Sequence, residues 1–250
     1  MGQVDPTDNT PAPGLHGKPA LTSIGTLNEG SVHQALKARY AICGSDTEYE
    51  IDGFVVDIVL DGRIIEIQTS GFSTLKRKLP HLLERYRVTL VHPIAQDRYI
   101  VKVPDDPDQA TTRRRSPKHG SLYDVFAELV SIPALMEHPN MTLEVVLTQE
   151  DEIRVRDDQR GWRRGGWVVA GRRLLDITET HTIASMGELF ERVDGNLPDE
   201  FTTNDLAAAL ASPLQLGQQA AYCFRHAGIT DICGKTGNSL LYRRSTTAVG

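Results

Sequence analysis

One Asp-Gly dipeptide, Asp61-Gly62, separates two apolar runs, FVVDIVL at 54–60 and RIIEIQ at 63–68. This dipeptide is favoured in the two-residue type I′ turn, because both central residues of that turn need positive φ. The turn's twist also matches that of paired antiparallel strands. The segment therefore predicts a tight β-hairpin whose register follows from the turn.

Two carboxylates interrupt these apolar runs. The predicted cross-strand pairs are Leu60 with Arg63, Val59 with Ile64, Ile58 with Ile65 and Asp57 with Glu66. The Cβ atoms of opposed residues lie about 4.5–5.5 Å apart, where like charges are unfavourable unless something intervenes. A hard cation such as Mg²⁺ or Mn²⁺ would intervene, since it takes oxygen ligands. Gln68 lies on the same side as Glu66, because alternate residues of a strand share a face.

A structural arrangement explains the same two acids. Charged residues are ordinary on the open face of a sheet. Basic side chains also follow in the next predicted helix, at Lys76, Arg77 and Lys78. In this alternative the carboxylates of Asp57 and Glu66 are solvated or paired with those cations.

The surrounding pattern predicts the order helix, three strands, helix, two strands. The first helix, within 26–42, aligns apolar and polar residues on one stripe that includes Glu29, Val32, His33, Leu36 and Tyr40. Residues 72–86 predict a second helix that Pro80 kinks or divides. Residues 87–95 and 97–104 predict two further strands, and 105–120 a polar loop.

This arrangement resembles the PD-(D/E)XK nuclease superfamily over about residues 26–104. The resemblance implies an α/β fold, with a restriction-endonuclease-like mixed sheet flanked by helices. In that superfamily an acid from the first helix, an Asp on one strand and a Glu-x-Lys on the next hold a metal that hydrolyses phosphodiesters. The implied metal ligands here are Glu29, Asp57 and Glu66, and Gln68 completes the implied catalytic set.

Gln68 departs from the superfamily's pattern. An amide cannot accept a proton at neutral pH, so Gln68 can only orient the attacking water. Lys76 or Lys78 is an alternative source of the missing lysine, from the following helix. His33, one turn after Glu29, is a candidate contact to the scissile phosphate.

Basic residues concentrate in a second predicted hairpin. Residues 154–173 hold seven arginines against two aspartates, a net charge of +5. Arg163 and Arg164 are candidate nucleic-acid contacts there, and RRR at 113–115 adds to them. The alternative is a solvated hairpin whose arginines pair with acidic residues.

The C-terminal pattern predicts three helices and a small hairpin, which resemble a winged helix over about 181–244. In such a module the second helix of the helix-turn-helix lies in the DNA major groove. The candidate contacts are Gln215, Gln218, Gln219, Tyr222 and Arg225, with Lys235, Arg243 and Arg244 on the wing. Many winged helices contact protein instead.

The expected organisation is a disordered tail (1–25), a nuclease-like domain (26–150), a basic hairpin extension (151–179) and a winged-helix domain (180–250). The composition is that of a soluble cytoplasmic protein, with no membrane association and three cysteines that suit a reducing compartment. We expect an Mg²⁺-dependent nuclease acting on DNA rather than RNA. A catalytically silent DNA-binding or regulatory module is the alternative, and assembly as a homodimer stays open.

Overall fold

A computed structural model describes residues 18–19, 31–41, 46–106, 108–157, 159–160 and 165–246. Glu29, Cys43, Arg163 and Arg164 lie outside the described residues. So does the expected disordered tail, except that Lys18–Pro19 forms a short strand.

A large sheet and a small one contain the strands of this described part. The large sheet has β1 Lys18–Pro19, β2 Asp46–Ile51, β3 Phe54–Leu60, β4 Arg63–Ile67, β5 Arg87–Val103, β6 Thr112–Arg115, β7 Met141–Arg156 and β8 Trp167–Ile183. The small sheet has β9 Glu200–Phe201, β10 Thr230–Thr236 and β11 Ser239–Arg244.

Helices flank both sheets. They are α1 Ser31–Tyr40, α2 Lys78–Leu83, α3 Phe126–Leu129, α4 Met186–Asp194, α5 Thr203–Ala209 and α6 Leu214–His226. Short 3₁₀ segments span Phe72–Lys76, Leu122–Val125 and Pro133–Glu137. None of these described helices is long and apolar enough to cross a membrane.

The large sheet is mixed, which confirms the predicted α/β class. Its order is β1-β2-β3-β4-β5-β7-β8, with β6 paired to β5. Strand β5 runs parallel to both β4 and β7, and the other pairs are antiparallel. Consecutive residues Ile64 and Ile65 enter different hydrophobic clusters, because a strand alternates its faces. Val32 and Leu36 of α1 cover the Ile65 side.

Three details of the predicted elements are wrong. Residues 87–103 form one strand rather than two, since the chain passes Gln96 as an unpaired bulge and continues. The predicted loop 105–120 contains β6, whose main chain pairs with β5. Pro80 does not divide the second helix, because it lies in the first turn of α2, where its missing N–H needs no partner.

The second predicted hairpin is longer than expected. Strands β7 and β8 pair from Leu143 with Ile183 to Arg156 with Trp167. The boundaries expected after residues 150 and 179 therefore fall inside continuous strands. The basic hairpin is the outer part of the large sheet rather than a separate unit.

Residues 185–246 form the three predicted helices followed by the predicted hairpin, β10 and β11. The short strand β9, between α4 and α5, was not predicted and pairs with β11. Their apolar residues join the main core. The ring of Phe224 on α6 packs edge-on against the rings of Phe126 and Phe190, with centroid distances of 5.1 and 5.0 Å. Helices α5 and α6 cross closely at Gly217, where a Cβ would lie 2.5 Å from the Thr203 carbonyl oxygen.

We expect Gly217→Ala to lower the free energy of unfolding by about 1–2 kcal/mol. The added methyl group overpacks the α5–α6 contact, which outweighs the better helix propensity of alanine. Gly195→Ala is the matched control, because φ is −61° there and a Cβ meets no atom within 4 Å. Equal stability of the two variants in urea unfolding would contradict the close crossing.

Candidate functional site

The Asp61-Gly62 turn forms the predicted hairpin. Asp61 has φ 50° and Gly62 φ 72°, as a type I′ turn requires. The pairs Leu60–Arg63, Val59–Ile64 and Ile58–Ile65 follow in the predicted register. The ladder ends there, and the Asp57 Oδ2 atom accepts a hydrogen bond from the Ile67 N–H at 2.8 Å. Asp57 therefore directs its carboxylate toward the backbone of β4.

Two side chains of α1, an imidazole and an ammonium group, contact the Asp57 carboxylate. The Nε2 atom of His33 lies 3.3 Å from both carboxylate oxygens, and Lys37 Nζ lies 3.6 Å from Oδ1. Burial alone would raise the pKa of Asp57, but the hydrogen bonds from His33 and Ile67 and the Lys37 charge hold it below its usual value. Asp57 is therefore a carboxylate at neutral pH.

Glu66 is buried and faces α2. Its side chain is 7% exposed, and Lys78 Nζ lies 2.5 Å from Oε1 while also bonding the Val55 carbonyl. The Oε2 atom is buried and has no hydrogen-bond partner in the described part of the chain. Burial raises the pKa of Glu66, and the Asp57 charge adds to the rise against the opposing effect of Lys78.

Each carboxylate has a cationic partner from a different helix, and Lys37 is shared between Asp57 and Glu48, which lies closer, at 3.1 Å. Like-charge repulsion therefore does not by itself require a metal here, because Lys37 and Lys78 balance it. Of the two candidate lysines, Lys78 reaches Glu66, whereas Lys76 is exposed at the end of its 3₁₀ segment. Among the described residues, the Oε2 atom of Glu66 is a buried carboxylate oxygen that has no hydrogen-bond partner.

Gln68 lies at the end of β4, half-buried, and does not join the two carboxylates. Its Nε2 atom donates to the Ser70 carbonyl at 2.5 Å and to Thr74 Oγ1 at 3.4 Å. The main-chain carbonyl of Gln68 accepts a 2.7 Å hydrogen bond from Nδ1 of the buried His92. Burial lowers the pKa of His92. Gln68 is thus held by the loop that follows β4.

Two site residues were missed by sequence reasoning. Lys37 follows His33 by one helical turn, and this i, i+4 spacing was a usable signal. Glu128 accepts hydrogen bonds from the Gly71 and Phe72 N–H groups at 2.8 and 3.0 Å, which holds the loop after Gln68. No local pattern connects Glu128 to that loop, 56 residues earlier.

The described residues contain no cluster of three or more His, Cys, Asp or Glu side chains arranged for a metal. Asp57 and Glu66 are the two implied metal ligands that lie within the described residues. Mg²⁺ is commonly held by one or two carboxylates with water and substrate phosphate, so two are enough for that ion.

The arginines of the outer sheet are largely neutralised. The ion pairs are Arg113 and Arg173 with Asp151, Arg98 and Arg154 with Glu152, Arg115 with Asp97, and Arg160 with Asp157. These arginines therefore follow the alternative in which the arginines of the hairpin pair with acidic residues. Four of these arginines pair with the buried acids Asp151 and Glu152. They stabilise the sheet in the sense that a buried carboxylate without its cation would be costly.

The C-terminal candidates lie on the surface. Gln218 and Arg225 are exposed on α6, Gln219 is half-buried beside them, and Lys235 is exposed on β10. Tyr222, on the same helix, is 44% exposed. The opposite side of α6 is buried, so one polar helix face is available for contact.

Comparison with known proteins places the chain in a family. The family described as Domain of unknown function (DUF8091) matches residues 30–184, which run from the start of α1 to the end of β8. An uncharacterized protein from Treponema pallidum (strain Nichols) is 31% identical over 227 residues, covering 89% of this chain and 88% of that protein. No solved structure matches. The chain belongs to the DUF8091 family.

Proposed function

We propose that this protein is a metal-dependent nuclease of the PD-(D/E)XK type that hydrolyses phosphodiester bonds in DNA. The observation that carries the proposal is the buried, partnerless Oε2 atom of Glu66, next to the carboxylate of Asp57 and the ammonium group of Lys78. An acceptor buried without a partner costs about 1–3 kcal/mol, and a bound cation would remove that cost.

The order of elements around the two acids supports this proposal. Helix α1 is followed by β2, β3 and β4, then α2 and β5, with β5 parallel to β4. This is the helix, three strands, helix, strand order on which the resemblance rests. Asp57 lies on the strand before Glu66, as the resemblance implies.

Asp57 and Glu66 would hold Mg²⁺ or Mn²⁺, with Glu29 as the implied third ligand. When bound, the ion would polarise the scissile phosphate and acidify the attacking water. Lys78 would stabilise negative charge that develops on the phosphate, and so take the place of the lysine that Gln68 replaces. His33 would orient Asp57 through their contact. Gln68 would position water near the loop that Glu128 holds.

The C-terminal part supports a nucleic-acid substrate. Three helices and a three-stranded sheet in the order α4, β9, α5, α6, β10, β11 are consistent with a winged helix. The exposed polar face of α6 would then contact DNA, with Lys235 on the wing contacting the backbone. Arg163, Arg164 and a homodimeric assembly stay predictions, as does the cytoplasmic location.

The alternative is a catalytically silent DNA-binding or regulatory module. The specific observation in its favour is that Lys37 and His33 contact Asp57 while Lys78 pairs with Glu66. In that case lysine takes the place of the metal, and the DUF8091 domain presents only a binding surface. Metal binding and cleavage separate the two functions.

We expect Asp57→Asn and Glu66→Gln each to reduce cleavage by about 100-fold or more, because each removes charge from the metal site. The assay compares duplex, single-stranded and branched DNA, with matched RNA, in Mg²⁺ and in Mn²⁺. Asp61→Asn is the matched control on the same hairpin, since asparagine tolerates the positive φ of that turn. An intact substrate with the parent protein, or equal rates for parent and variants, would refute catalysis here.

We expect Mg²⁺ or Mn²⁺ to stabilise the parent protein but not Glu66→Gln. A ligand at 100 times its Kd adds about 2.7 kcal/mol to the free energy of unfolding. The ion needs Glu66 deprotonated, and burial raises the pKa of that group, so affinity should fall as pH decreases through a value above the usual 4.5. Calorimetry and thermal unfolding between pH 5 and 8 measure this, and an absence of any metal effect favours the silent module.

We expect Lys78→Met to lower the free energy of unfolding by about 2–4 kcal/mol at pH 7, because it leaves the buried Glu66 carboxylate unpaired. In this variant the raised pKa of Glu66 lets the folded state bind a proton more tightly than the unfolded state. Stability is then greatest below the unfolded pKa and decreases as pH rises through the folded one. The deficit should therefore shrink toward acid pH in urea unfolding.

Two variants control for this effect of Lys78. Lys76→Met, at an exposed position, should change stability by less than about 0.5 kcal/mol. Adding Glu66→Gln to Lys78→Met should restore most of the loss, because neither member of the pair is then charged. A Lys78→Met protein as stable as Lys76→Met at pH 7 would show that the ion pair is not formed.

A further inference from the structure

A cavity of about 570 Å³ opens to the surface beside the outer part of the large sheet. Strands β5, β7 and β8 line one side of it. The other side is lined by residues from three segments: Thr69 and Ser70 after β4, residues 116–120, and residues 124–128. Apolar walls come from Ile94, Ile100 and Val169. The volume lies within the range of about 300–1,000 Å³ that is typical of small-molecule sites.

Bulges bend the strands around this cavity. The pairings pass over Gln96 in β5 and over Ala170, Leu175 and Thr178 in β8. The Thr178 hydroxyl donates to the Gln96 side-chain oxygen at 2.8 Å, which joins two of these bulges. Bulges bend a strand, increase its twist and are frequent beside functional sites.

The cavity is lined by a carboxylate and a guanidinium that lie opposite each other. Arg98 on β5 pairs in register with Glu150 on β7, and both line the cavity. Glu150 is 3% exposed, and its Oε1 atom accepts the Thr148 hydroxyl at 2.8 Å. Its Oε2 atom and the Nε atom of Arg98 are buried without a partner among the described residues. One acceptor and one donor, on paired strands, are therefore unsatisfied within the same cavity.

The other charged groups of the cavity divide into three sets. Glu152, two residues beyond Glu150 on β7, is already bonded by Arg98 at 3.4 Å and by Arg154 at 2.6 Å. Asp124 and Glu128 also line the cavity, and their carboxylates accept backbone N–H hydrogen bonds, from Ser121 and from Gly71 and Phe72. Lys118 and Arg172 also line the cavity but are exposed, so positive charge lies at its opening. The interior offers hydrogen bonds, and the opening offers cations.

We propose that this cavity binds a nucleotide. Each nucleobase carries an N–H donor beside an acceptor on one edge, which matches the unsatisfied Glu150 oxygen and Arg98 N–H. The apolar walls suit the faces of a planar ring, and Lys118 and Arg172 suit the phosphate. The nucleotide is free in solution or is one residue of a strand, since both present the same groups. The inference does not rest on cleavage at Asp57 and Glu66.

Binding of the four nucleoside 5′-monophosphates to the full chain tests this proposal, by calorimetry in EDTA. The chelator removes any metal contribution, so the outcome is separate from that of the nuclease assay. We expect saturable binding of at least one monophosphate, weakened about 10-fold or more by Glu150→Gln. The double variant Lys118→Ala/Arg172→Ala, which alters only exposed side chains, should weaken the monophosphate more than the corresponding nucleoside.

Glu179→Gln is the matched control, because Glu179 is exposed on β8 and does not line the cavity. Competition by a single-stranded oligonucleotide, lost when it carries an abasic position, would identify a base within a strand as the ligand. Competition by the monophosphates alone would identify the free nucleotide. If neither binds, or if both cavity variants bind as the parent does, the proposal is overturned.

Discussion

The candidate site depends on the reversal of the chain at Asp61-Gly62. Two residues at positive φ set the register of β3 and β4, and a slip of one residue would turn one of the two acids, Asp57 or Glu66, to the other face of the sheet and away from its helix partner. Because β4 is also the strand that pairs in parallel with β5, this hairpin joins the site to the centre of the large sheet.

Buried acids recur throughout this sheet. Glu66, Glu150, Asp151 and Glu152 are all below 9% exposed, on strands whose other residues form the core. Ionised groups are retained in such places only with partners, and the partners come from other elements: α2 for Glu66, β6 and β8 for Asp151. The exceptions are single oxygen atoms of Glu66 and Glu150, and both proposals begin from these atoms.

Local patterns predicted many elements well, for reasons that particular residues illustrate. The Asp61-Gly62 turn joins β3 and β4 in the predicted register, and the helix predicted within 26–42 contains α1. The division of β5 was wrong because Pro93 and Ala95-Gln96 resemble a loop locally, whereas pairing with β7 on one side carries the strand past the bulge. Strand β6 was missed because TRRR acquires its strand geometry only by pairing with β5.

The sequence by itself determined the hairpin register, the α/β class and the candidate acids, because turn chemistry and hydrophobic periodicity act over a few residues. Only the tertiary structure decided which cation meets which acid: Lys78 rather than Lys76 for Glu66, and Lys37 for Asp57. It also brought Arg98 opposite Glu150, 52 residues apart in the chain. Both line a cavity beside strands that four bulges bend. Ion pairs and cavities depend on how distant elements pack, and no local pattern records that packing.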